Sequence, residues 1–231
     1  MRVGLISDVH ANVVALRAVL EDAPAIDDWL HAGDVVGYGP WPAETIDLFE
    51  TRGIASVQGN HDRGVLGDFH EGFVGLPRES DEWTTERLND DELAYLDGLP
   101  VETDEYDRTI HLAHGAPDAP NTYTYPEDME RTLLGGERLL VLGHTHVQAR
   151  REFEAGTIVN PGGTGQPRDG DPRAPYAVYD TETDEVELRR VDYPHETVQE
   201  KLVEYDFPDR LVDAYATGEI VPADRAERPE N

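Results

Sequence analysis

Five short apolar runs each end in a side chain able to bind a metal. Val3 to Ser7 leads into Asp8 and His10, Trp29 to Gly33 into Asp34, and Ile54 to Gly59 into Asn60. Thr109 to Ala113 leads into His114, and Leu139 to Gly143 into His144 and His146. Runs of this length read as buried strands, and in open α/β sheets ligands gather at the carboxyl ends of the strands. Five such junctions in one chain therefore predict an α/β fold that delivers its ligands to one edge as a metal centre.

The rest of the pattern fits that reading. Strands are expected at 2–7, 28–32 and 54–58, with helices at 12–21, capped by Asn12, and at 42–52. Residues 62–98 carry only helical or irregular signals, with one helix opening so that Glu82 lies in its first turn and another opening at Asp90-Asp91-Glu92. The second half is β-rich, with strands near 100–104, 108–113, 138–142, 148–153, 156–160, 174–180 and 185–191. The last four pair as two hairpins, turning at Ala155-Gly156 and at Thr181–Asp184. A short helix is expected around 126–134 and one or two more over 195–217. Residues 1–220 read as a single domain with two sheets, and 221–231 as a frayed tail.

The ligand chemistry is bounded by composition. Without cysteine there are no disulfides or thiolate sites, so a metal must be held by nitrogen and oxygen. No apolar run approaches the roughly 18–20 residues of a membrane helix. The first strand opens the chain, which predicts no cleaved leader and a cytoplasmic protein. The formal charge of −30, with Lys201 the only lysine, predicts a solvated surface suited to high salt, as in salt-loving archaea. It argues against general nucleic-acid binding, which relies on Lys and Arg at phosphates.

Two divalent ions need about four protein ligands each, and a carboxylate is the best shared one. Asp34, on a glycine-framed turn, is the candidate bridge, with Asp8, His10, Asn60, His114, His144 and His146 completing the supply. Such N/O ligation suits Mn, with Fe, Ni or Zn as alternatives. Two dications less two carboxylates and a hydroxide leave a net charge of about +1, which suits a phosphate oxyanion. The chemistry predicted is phosphoester hydrolysis by in-line attack of a bridging hydroxide.

The segments Asp8-Val9-His10, Gly33-Asp34, Gly59-Asn60-His61-Asp62, His114-Gly115 and Gly143-His144-Thr145-His146 resemble, in order and spacing, the five motifs of the calcineurin-like metallophosphoesterase superfamily. The resemblance covers residues 1 to about 180. It implies a four-layer α/β/β/α sandwich with two mixed sheets and a dinuclear centre. It places Asp8, His10 and His146 on one metal and Asn60, His114 and His144 on the other, with Asp34 bridging. It also gives His61 a catalytic role near the leaving group, as general acid or transition-state contact.

Two departures narrow the resemblance. In the protein phosphatases the second motif continues Gly-Asp-x-Val-Asp-Arg-Gly, whose later Asp orients the catalytic histidine and whose Arg grips phosphate. Here those positions are Gly37 and Tyr38. With Asn160-Pro161-Gly162 late in the chain, the sequence instead resembles compact archaeal and bacterial phosphodiesterase-like members. The expected substrate is a small phosphoester, with Arg63 and Arg168 as candidate phosphate contacts, and Arg173 as either a third contact or a surface ion pair.

Taken singly, each piece has an ordinary reading: Asp8 as a helix cap, Asp34 as a turn aspartate, His144 and His146 as turn histidines, His61 as a helix start with Asp62 as its cap. His31 and His111 read as packed and hydrogen-bonded, His70 and His195 as surface. The aromatic stretch 119–126 is either a lid or a homo-oligomer contact. Two rival functions share the fold: a non-catalytic interaction scaffold, marked by degenerate ligands, and a DNA-repair nuclease, disfavoured by the acidic surface.

Overall fold

A computed structural model describes residues 1–69 and 73–219. Ten strands form two five-stranded mixed sheets. The first has the order β10 (Glu185–Val191), β9 (Ala174–Asp180), β1 (Arg2–Ile6), β2 (Asp28–His31), β3 (Ala55–Ser56). The second has the order β4 (Glu102–Glu105), β5 (Ile110–Ala113), β6 (Leu139–Val141), β8 (Gly156–Asn160), β7 (Ala149–Phe153). In the first, β1, β2 and β3 run parallel, with Leu5 opposite Leu30 and Leu30 opposite Ala55. In the second, β5, β6 and β8 run parallel, with Leu112, Val141 and Val159 in register. The five ligand-bearing runs supply β1, β2, β3, β5 and β6, so every junction lies at the carboxyl end of a parallel strand.

Strand periodicity assigns each apolar side chain to a layer. Val3 and Leu5 of β1, Leu30 of β2, Ile110 and Leu112 of β5, and Leu139 and Val141 of β6 share the core between the sheets. Their alternates face outward: Ile6 packs under the helices, while Leu140 and Ile158 pack on the outer face of the second sheet. Both faces of these parallel strands are buried, which is why they read as continuous apolar runs.

The helices over the first sheet are α1 (Val13–Asp22), α2 (Pro42–Arg52), α5 (Asp90–Asp97), α6 (His195–Glu204) and α7 (Asp209–Thr217), which contribute Leu16, Phe49, Leu96, Val198 and Leu211 to one cluster. Asn12 caps α1 by accepting from the Ala15 N–H at 3.0 Å. α3 (Asn60–Val65) follows β3 directly, and α4 (Leu76–Thr85) packs against it. α4 opens at Leu76 with Pro77 in its first turn, so Glu82 lies mid-helix rather than in the first turn. Pro fits there because its missing N–H is unused at a helix start.

The short helix expected around 126–134 is instead two 3₁₀ turns, Pro126–Asp128 and Arg131–Leu133, with Pro126 and the acids behind it favouring turns. They lay Met129 and Leu133 over Leu140, Leu142 and Ile158, so the outer layer of the second sheet is thin. The β3 run is shorter than 54–58, because pairing with β2 ends at Ser56. Both hairpins form, the first with Arg150 opposite Val159 and the second with Leu188 opposite Ala177. No described helix is long and apolar enough to cross a membrane. His70 and the 221–231 segment lie outside the described residues.

Candidate metal centre

The strand ends bring Asp8, His10, Asp34 and His146 into one group and Asp34, His114 and His144 into a second, the donor atoms within each lying within 4.8 Å of one another. Asp34 has a place in both. Asn60 joins the second group, its Oδ1 lying 3.0 Å from His114 Nε2. All seven side chains are at least 95 % buried, Asn60 being 5 % exposed.

Backbone carbonyls decide which imidazole nitrogen faces the group. His10 Nδ1 donates to the Val36 carbonyl at 3.0 Å, His114 Nδ1 to Ala32 at 2.7 Å, and His146 Nδ1 to Gln166 at 2.6 Å. With a proton held at Nδ1, Nε2 is in each case the nitrogen that faces inward, the arrangement that typifies metal-ligating histidines. His10 Nε2 and His146 Nε2 then face each other at 3.3 Å, a contact that two lone pairs make comfortably only with a cation between them. His144 Nε2 is buried without a hydrogen-bond partner.

The electrostatics agree with this donor set. Burial pushes the Asp8 carboxyl up to about 7, a cost that a neighbouring dication offsets. Burial holds His10, His144 and His146 well below the ordinary imidazole value, and therefore neutral. For Asp34 burial works upward, but His114 and His61 outweigh it and hold the carboxyl well below the usual range. Burial works against a charged His114, but Asp34 outweighs it and raises the ring to about 9. Imidazoles, an amide oxygen and two carboxylates fit divalent transition-metal ions.

The backbone is strained where the donors emerge. Asp8, His10, Asp34, His144 and His146 all have left-handed φ, from +47° to +67°. Non-glycine residues adopt that region rarely and at a cost, and they cluster at functional sites.

Sequence comparison matches residues 1–184 to the calcineurin-like phosphoesterase superfamily domain. The chain belongs to the calcineurin-like phosphoesterase superfamily. It is 31 % identical over 234 residues to an uncharacterized protein of Methanocaldococcus jannaschii, covering 90 % of this chain and 95 % of that one. A crystal structure of a metallophosphoesterase from Sphaerobacter thermophilus superposes with a TM-score of 0.84 at 35 % identity, covering 94 % of this chain and 99 % of that one. A hypothetical protein from Pyrococcus horikoshii has the same fold, with a TM-score of 0.80 at 21 % identity over 94 % and 98 % of the two chains.

Beside these candidate donors lies a narrow space of about 20 Å³, lined by Tyr38, His61, Phe73, Pro77, Tyr123 and Arg168 with Asp34, Asn60, His144 and His146. A larger cavity of about 1050 Å³ lies elsewhere, beside Arg138, Arg150 and Arg189; among the described residues the candidate metal donors converge at the narrow one. Each of those arginines already meets a carboxylate, respectively Asp184, Glu152 and Glu187.

His61 lies in the first turn of α3, its N–H donating to Asp34 Oδ1 at 2.9 Å. Asp62, in the first turn of the same helix, accepts from the Gly59 N–H at 2.8 Å. Of the arginine candidates, Arg168 lines the space, its guanidinium held by Gln166 Oε1 at 2.7 Å and 5.6 Å from the centroid of the Tyr38 ring. Arg63 is not among the lining residues and hydrogen-bonds Asn121 instead. Arg173 pairs with Asp171 at 2.6 Å. His31 is buried and donates from Nδ1 to Ser56 at 2.7 Å, and His111 meets Asp104 at 2.9 Å.

Two residues that the sequence does not assign to the site enter it. Tyr123, from the aromatic 119–126 stretch, stacks on His144 with ring centroids 3.9 Å apart. Asp81, on α4, meets His61 Nδ1 at 2.8 Å. Tyr123 came from a segment already marked as aromatic and exposed to either role; Asp81 read only as one of many acids.

Proposed function

We propose that this chain is a metal-dependent phosphodiesterase acting on small phosphodiesters through a dinuclear centre, with residues 1–220 as a single domain. The observation that carries this reading is the place of Asp34 in both donor groups, beside a histidine that is not itself a donor. Asp8, His10 and His146 would hold one ion and Asn60, His114 and His144 the other, with Asp34 shared. Ions bound there would supply a water of lowered pKa and neutralise charge on the phosphoryl oxygens.

The chain's own residues do the rest. Hydrolysis forms a P–O bond from water and breaks the bond to the ester oxygen, which leaves with its electron pair and needs a proton. Asp81 Oδ1, 2.8 Å from His61 Nδ1, favours the charged form of the ring. His61 therefore has a proton to donate from Nε2 to the leaving oxygen. Arg168 offers the remaining phosphoryl oxygen a guanidinium, taking the place left by Tyr38. Arg168 beside the donors can pair with the negative charge of a diester. Phe73, Tyr38 and Tyr123 give its organic substituents apolar walls.

The test is hydrolysis of bis-p-nitrophenyl phosphate by the full chain loaded with Mn²⁺ in high salt. Asp34→Ala and His144→Ala should each abolish turnover. Activity that survives both substitutions overturns the assignment.

A further inference from the structure

The position that carries the histidine-orienting acid in the protein phosphatases is Gly37 here, yet His61 does not lack a carboxylate. Asp81 Oδ1 lies 2.8 Å from His61 Nδ1, in contact across the packed pair α3 and α4. We propose that Asp81, on a helix outside the five ligand motifs, is the positioning residue that fixes the ring of His61 for catalysis. This rests on the reading of the site as a phosphoester hydrolase.

Three observations carry it. First, Asp81 is fully buried, and its Oδ2 has no hydrogen-bond partner. Burying a carboxylate is costly unless it is paired, and its one strong side-chain partner is the His61 imidazole. Ser80 Oγ stands farther away, at 3.5 Å from Oδ1. Packing of α4 alone would be served better by an apolar residue.

Second, the neighbouring backbone leaves room for the pair. A Cβ on Gly37, whose φ is +89°, would stand 2.8 Å from His61 Nδ1 and 3.0 Å from Asp81 Oδ1. A Cβ on Gly64 would overlap Asp81 Oδ2. The acid is thus missing from position 37 where a side chain would collide with the acid delivered from α4.

Third, packing around His61 does not choose its ring orientation. The ring is walled by Tyr38, His10 and Phe73, with centroids 4.5, 4.9 and 5.0 Å away. A half-turn about the Cβ–Cγ bond nearly preserves an imidazole's shape while exchanging nitrogen for carbon. Only a hydrogen-bond partner distinguishes the two orientations and the two tautomers. Asp81 holds the proton at Nδ1 and thereby aims Nε2 at the donors and the substrate.

The experiment is a double-mutant cycle on the Mn²⁺-loaded full chain, with Asp81→Ala, His61→Ala and the pair, using two esters. Diphenyl phosphate needs proton donation to its leaving group more than bis-p-nitrophenyl phosphate does. Asp81→Ala should lower kcat on diphenyl phosphate roughly 10–100-fold with KM unchanged, and less on the nitrophenyl ester. Asp81→Asn, which keeps an acceptor of the same shape, should recover part of the loss. In the His61→Ala background, removing Asp81 should cost nothing further. A loss of equal size in that background overturns the proposal.

Nitrogen NMR of the His61 ring gives a readout independent of turnover. At the alkaline end of a pH series, where Nε2 has lost its proton, the neutral ring should be a fixed Nδ1–H form in the native chain and a tautomer mixture in Asp81→Ala. A ring unchanged by the substitution also overturns the proposal. A native chain that hydrolyses neither ester overturns the phosphoesterase reading instead, and the NMR result still decides whether Asp81 positions His61.

Discussion

Asp62 holds Asp34 through the main chain: its Oδ2 accepts from the Asp34 N–H at 3.0 Å, and Oδ1 from the Val36 N–H at 3.2 Å. Oδ2 also accepts from the Gly59 N–H at 2.8 Å. Asp34 returns the contact by accepting the His61 N–H. The turns after β2 and β3 are thereby locked into one unit, with the shared carboxylate and the proposed acid at fixed spacing. Such a clamp holds reacting groups in place before substrate arrives, which is what catalysis by positioning requires.

Asp62→Asn tests the clamp. An amide replaces one acceptor by a donor, leaving an N–H of the turn facing another N–H. An unsatisfied buried donor costs about 1–3 kcal/mol. The variant should unfold at lower urea by that amount in chelator. An unchanged midpoint would show that the turn is held by other contacts.

Arg168 separates charge from shape. Arg168→Ala should raise KM for bis-p-nitrophenyl phosphate about tenfold, as loss of about 1.4 kcal/mol of binding does, with bound metal unchanged. Arg168→Lys should recover only part, since an ammonium lacks the guanidinium's paired donors. Steady-state kinetics with metal analysis on one preparation reads both. A KM unmoved in Arg168→Ala would remove the residue from substrate binding.

Burial of Asp81 gives a pH dependence with a definite sign. Burial raises its carboxyl from 3.8 to about 6, even with His61 pulling the other way. Between those values the folded chain keeps a proton that the unfolded chain has lost. Stability from this group therefore falls as pH rises from about 3.8 to about 6, and the full penalty stands above that. Asp81→Asn cannot ionise. In chelator, its melting temperature should gain on that of the native chain between pH 4 and pH 6. A constant difference across that range would refute the buried-carboxylate argument.

Much of the site was legible because its chemistry is local. Asp8, Asp34, Asn60, His114 and His144 each follow an apolar run within a residue or two, and a strand's direction carries them to the same edge. The hairpins were legible for a similar reason: alternation and turn residues lie close in sequence. The start of α4 was misplaced because Ser80-Asp81-Glu82 mimics a capping sequence, while the true start depends on Pro77 and on packing against α3. The 126–134 segment, expected as one short helix, is two 3₁₀ turns, because Pro126 and the acids behind it favour turns.

By itself the sequence determined the grouping of candidate donors, the parallel strands that carry them and the superfamily, since each is encoded by neighbours along the chain. The tertiary structure alone decided what surrounds those donors. Asp81 is 20 residues from His61, on a helix where any acid reads as solvated. Tyr123 reaches His144 from a loop with no periodic signal. Side chains that act through space across separate elements leave no local pattern, because their meeting depends on how helices and loops pack, not on what stands beside them in the chain.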